Sequence, residues 1–80
     1  MKLGSLINTL PRFTKIELVS TMTSQVFYSG DVTTFMREKN VTLKCSLHQK
    51  VARIIIKDNG LSVLVNMPSY CNEIGLHFDN

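Results

Sequence analysis

The side chains best suited to chemistry are two cysteines and two histidines, in Cys45-x-x-His48 and Cys71-x5-His77. Two thiolates and two imidazoles are the ligand inventory of a tetrahedral zinc site. The first spacing is short enough for both residues to reach one ion. The second is loose, and no Cys-x-x-Cys knuckle accompanies either, so no metal site is expected. The blander alternative is a half-buried Cys45 on a strand, an exposed His48 in a loop and an unrelated C-terminal pair. A cysteine nucleophile would need a base beside it and a third group to orient that base. No Asp or Asn is placed for that role by a known signature. Gly4, Gly30, Gly60 and Gly75 are scattered, so no glycine-rich phosphate loop exists, and the six acids stand singly rather than in catalytic pairs. The residues predict neither an enzyme nor a cofactor.

The remaining chemical signal is basic charge. All nine Lys and Arg fall in residues 1–57, against three acids, whereas residues 58–80 hold three acids and no base. Arg37–Lys57 alone carries six bases and one acid. Such a segment attracts phosphate or an acidic protein surface. Arg53 and Lys57 flank Ile55, Lys44 and Lys50 are expected nearby, and Phe27 or Tyr28 is a candidate aromatic for the same surface. That combination suits a nucleic-acid backbone or a phosphorylated small ligand. Against it stands a solvated face whose cations keep a small sheet soluble. No helix is long or basic enough to read a DNA groove.

The elements that must position these residues are legible from periodicity. Leu3, Leu6, Ile7 and Leu10 form one stripe of a short helix, with Ser5 as a start signal and Pro11 ending it. Thr14–Ser20 alternates, with Ile16 and Leu18 on one face and Lys15, Glu17 and Val19 on the other. Gln25–Ser29 is β-branched and aromatic, and reads as its antiparallel partner. Asp31 suits an N-cap for a helix through Val32, Phe35 and Met36, with Asn40 as its C-terminal cap. Val41–Cys45 alternates as a short strand.

The strongest local signal is Val51–Met67, where two apolar runs flank Asp58-Asn59-Gly60. Asn-Gly favours a type I′ hairpin with Asn59 and Gly60 at its centre. That register pairs Ile56 with Val63, Ile55 with Leu64, and Arg53 with Asn66. It places Ala52, Ile54, Ile56, Val63, Val65 and Met67 on a core face, with Leu61 at the turn end. Arg53, Ile55, Lys57, Ser62, Leu64 and Asn66 share the other face. After Pro68, Ile74, Leu76 and Phe78 alternate as a weak further strand. The expected fold is α+β: a small antiparallel sheet of four to five strands in two hairpins, with two short helices on one face. Residues 1–68 form the single domain and residues 69–80 a C-terminal tail.

The run TLPRFTKIELVS…QVFYSGDV with VARIIIKDNGLSVLV resembles a loose group of short accessory proteins of phages and prophages of Gram-positive bacteria. The shared points are Leu10-Pro11 ending a small helix, the strand Thr14-Lys15-Ile16-Glu17, Tyr28-Ser29-Gly30 closing a second strand, and the final hydrophobic hairpin. They cover about two thirds of the chain and are structural. This chain departs from the group in its greater basicity and longer tail. The resemblance implies a mobile-element accessory protein that opposes host defence.

The expectation is therefore a non-enzymatic, anti-CRISPR-like inhibitor that binds a host defence effector or its signal ligand. A direct nucleic-acid binder, or a small structural subunit forming homo-oligomers through a strand edge, is the alternative. The candidate binding surface is Arg53, Ile55, Lys57, Ser62, Leu64 and Asn66, with Lys44 and Lys50. No apolar run approaches the roughly 18 residues of a membrane span. With no signal peptide recognised, the two cysteines are expected as reduced thiols in the host cytoplasm.

Overall fold

A computed structural model describes residues 1–68, so the expected tail strand at Ile74–Phe78 lies outside the described residues. The chain order is α1 (Leu3–Thr9), β1 (Lys15–Ser20), β2 (Val26–Asp31), α2 (Val32–Arg37), α3 (Val41–Ser46), β3 (Val51–Lys57) and β4 (Gly60–Val65). The α+β class stands. Both expected hairpins form, β1 with β2 and β3 with β4. They join through β1 and β4, which run parallel, so the sheet is mixed, in the order β2-β1-β4-β3.

The three helices of the described residues bury apolar side chains in the same core. Leu3, Leu6 and Ile7 of α1, Val32 and Phe35 of α2, and Leu43 of α3 cluster with Ile16, Leu18, Val63, Val65 and Met67. The strand members of that set share one side of the sheet, because pleating sends alternate side chains to opposite faces. The other side carries no element among the described residues. Helix α1 is too short to stand alone. Its first amides are taken by the loop after α3, Leu3 N–H donating to Gln49 O and Gly4 N–H to Leu47 O, both at 2.9 Å. Ser5 is not its cap; the helix begins two residues earlier, after Lys2.

Residues 41–46 are a helix and not the expected strand. Asn40 decides this. Its side-chain oxygen accepts from Thr42 N–H at 2.8 Å and Leu43 N–H at 3.3 Å, so it caps the start of α3 rather than the end of α2. Helix α2 stops at Arg37, and Leu43 becomes the buried residue of the next turn. Alternation of Val41, Leu43 and Cys45 over five residues did not discriminate strand from helix, since a short apolar pattern fits both periods.

The hairpin register also differs from expectation. Lys57 pairs with Gly60, Ile56 with Leu61, Ile55 with Ser62, Ile54 with Val63, and Arg53 with Leu64. Asp58 and Asn59 occupy the turn, and neither has positive φ, so it is not type I′. Gly60 is needed for another reason: its φ is +152°, and a Cβ there would run into the Lys15 carbonyl of neighbouring β1. The register moved by two residues, which preserves the pleat. Every strand residue therefore keeps its expected face although every pair changed. Ala52 is the exception, because a bulge between Val51 and Arg53 puts it out of alternation.

Two stability measurements test these points. Gly60→Ala should lower stability by about 3 kcal/mol, from positive φ combined with backbone collision; a urea midpoint equal to the parent would refute it. Asn40→Ala should cost about 1 kcal/mol while Asn40→Asp stays near neutral, since either oxygen caps α3. If Asn40 capped nothing, both would behave alike.

Candidate functional site

The outer side of the sheet assembles in rows across the four strands. Val26, Val19, Leu64 and Arg53 form one row and Ser29, Glu17, Ser62 and Ile55 the next; beyond them Asp31 pairs with Lys15 and Gly60 with Lys57, Gly60 lying against Lys15. One end of this face is thus apolar except for Arg53, and the other carries charges of both signs. Five of the residues expected there, Arg53, Ile55, Lys57, Ser62 and Leu64, do lie together on it. The structure adds Glu17, Val19 and Val26 from β1 and β2. Alternation had placed Glu17 and Val19 on the polar side of their strand, but no local signal indicated that β1 would sit beside β4.

Glu17 organises the ionic end. Its Oε1 accepts from Ser62 Oγ at 3.4 Å and from Lys57 Nζ at 3.5 Å. Both partners of the Lys57–Glu17 pair are solvent-accessible, so the pair contributes at most about 1 kcal/mol. Arg53 has no ion pair among the described residues. Asn66 lies past the end of β4, where Thr21 Oγ1 donates to its Oδ1 at 2.9 Å. Lys50 precedes β3 and forms an isolated bridge with Lys2.

Lys44 does not join this surface. It belongs to α3, on the helical side, where it lines a cavity of about 90 Å³ with Phe35, Met36, Glu38, Leu43 and Leu47. Lys44 was expected near Arg53 and Lys57; a helix packed on the inner face turns it away. The aromatic candidates are committed elsewhere too. Tyr28 meets Phe35 edge to face at 5.0 Å and donates its hydroxyl to Asp31 O at 2.8 Å. Burial, reinforced by Asp31 and Glu38, pushes its pKa up. Phe27 packs against the core. Arg12 and Arg37 line a separate cleft of about 250 Å³ beside Val32, Thr33 and Met36. The cations are spread over several surfaces and do not form one groove.

The apolar edge is the most exposed part of the site. β3 ends the sheet, and all its residues after Val51 are exposed. The expected core positions Ile54 and Ile56 are not buried: they are 40% and 84% accessible, and Ile55 is 39%. Ile54 and Ile56 do lie on the helical side, beside Val63 and Leu61. They stay uncovered because, among the described residues, the outward flank of β3 is met only at its start, where Val51 N–H donates to Met1 O at 2.8 Å. Of the expected core set, Val63, Val65 and Met67 are buried.

Cys45 is disulfide-bonded, which corrects the expectation of a reduced thiol. The chain's other cysteine, Cys71, lies outside the described residues, as does His77. Among the described residues no group of three or more His, Cys, Asp or Glu side chains could hold a metal ion. No helix among them is long and apolar enough to cross a membrane. Comparisons with protein-family models, with curated proteins and with solved structures find no match.

One titration bears on the rim of this face. Asp31 caps α2, accepting from Thr34 N–H at 2.7 Å. That hydrogen bond, then the Thr34 hydroxyl, Lys15 and Arg37, hold its carboxyl below the ordinary value. A lowered folded-state pKa stabilises above the unfolded value and is lost as pH falls through the folded one. Acidification below the ordinary value of 3.8 should therefore erode stability. Asp31→Asn should flatten that part of the profile. Urea midpoints measured across the acid range check this; an unchanged slope would refute it.

Proposed function

We propose that this chain is a non-enzymatic binding protein whose contact surface is the β3 side of the sheet. The observation that carries this is the run Ile54–Ile56, exposed on an edge strand next to a sheet face that carries no element among the described residues. An apolar centre bordered by Arg53 and Lys57 has the composition of a protein interface, with Arg enriched and water excluded from the middle. An exposed apolar patch on a small soluble domain marks a contact site. In the setting the phage and prophage resemblance implies, the partner is a host defence protein and the effect is inhibition. The nucleic-acid alternative loses support because Lys44 faces away and Tyr28 and Phe27 offer no stacking platform.

Expression in a host carrying an active defence system should restore phage plaque formation. Arg53→Glu with Lys57→Glu should abolish the rescue and weaken partner affinity at least about tenfold, or about 1.4 kcal/mol. Lys44→Glu should leave both unchanged. Full rescue by the Arg53/Lys57 double variant would overturn the assignment of this surface. No rescue against a panel of defence systems would overturn the function.

A further inference from the structure

The β3 edge is guarded on one count and open on another. Edge strands are usually protected by charges, bulges or proline. β3 has a bulge between Val51 and Arg53, and cations at Arg53 and Lys57, but nothing interrupts Ile54-Ile55-Ile56. The other edge of the sheet differs. On β2, Phe27 and Tyr28 pack against the core, and α2 lies against the strand.

The charges on β3 discriminate among occupants. Two copies of β3 paired antiparallel about Ile55 would set Arg53 of each against Lys57 of the other. Like charges directly opposed across a ladder are destabilising. A neutral strand would leave Arg53 without an ion pair. An acidic strand satisfies both the charge and the ladder.

We propose that the open edge of β3 is a strand-addition site for an extended acidic segment of a partner protein, with the pattern acid–apolar–apolar–apolar–acid. This rests on the binding function proposed above and specifies the chemistry of the partner. The incoming main chain pairs with the outward N–H and C=O groups of β3, which supplies affinity, while alternate side chains supply specificity. Apolar residues beside Ile54 and Ile56 extend the core row on the helical side. The central apolar residue lies beside Ile55 on the outer side, and the two acids lie beside Arg53 and Lys57. The pattern is symmetric about Ile55, so either strand direction satisfies it.

The test uses the full chain and a labelled peptide, Thr-Glu-Val-Ile-Val-Glu-Thr. One control replaces both Glu with Lys and another replaces the central Ile with Pro. Anisotropy gives affinity, and amide hydrogen exchange reports Arg53–Lys57. The acidic peptide should bind at least about tenfold tighter than either control and slow exchange at the outward amides of β3. Arg53→Glu with Lys57→Glu, both exposed, should reverse the preference to the lysine peptide. Equal binding of acidic and lysine peptides would overturn the proposal, as would undiminished binding of the proline peptide. Outward amides already protected without peptide would also overturn it, since a second copy or residues 69–80 would then occupy the edge. Phage rescue by a complex in which those amides still exchange would remove this docking mode and leave the binding function standing.

Discussion

Everything in this fold depends on the parallel pairing of β1 with β4. Leu18 and Val63 sit opposite each other at its centre, both fully buried, with the helical layer above them. Neither hairpin is independently stable at this size, because a two-stranded ribbon has no second layer to bury its apolar face. Joined through β1 and β4, they form a four-stranded surface broad enough to take three short helices. The requirement for glycine at position 60 follows from the same junction, since β4 starts against the Lys15 carbonyl.

That junction also creates the exposed surface. Placing β1 and β4 at the centre sends β2 and β3 to the edges. β2 is continuous with α2, whose cap Asp31 is the last residue of the strand, so helix and strand pack together. β3 is reached from α3 through a short loop that is spent bracing α1, leaving nothing among the described residues to lie over Ile54 and Ile56. The apolar run at the edge is thus a consequence of topology acting on a strand whose composition suits an interior position. A strand buried on both faces reads as a continuous apolar run.

The electrostatics follow the same division. Lys57 has a local partner in Glu17, forty residues away in sequence and one strand removed across β4. Arg53 lies in the row of Val26, Val19 and Leu64, where there is no acid. The outer face is consequently neutralised at its turn end and cationic at the other. Lys44, close to both in the chain, belongs to the opposite layer. A count of bases along Arg37–Lys57 overstates the local field, because helix α3 and strand β3 present their cations to different sides.

Residue order alone determined the faces. Alternation in Lys15–Ser20 and in β3 and β4 placed Arg53, Ile55, Lys57, Ser62 and Leu64 together, and a two-residue register shift left that grouping intact. Pro11 and Asp31 marked helix limits through chemistry that acts within a few residues. Tertiary structure alone decided the rest. Asn40 could cap either neighbour until α3 found the core with Leu43. Gly60 looked like a turn residue until β1 lay beside it. Ile54 and Ile56 read as core because periodicity reports which side of a sheet a residue faces. It does not report whether that strand has a neighbour on both flanks, which is settled by contacts between segments far apart in the chain.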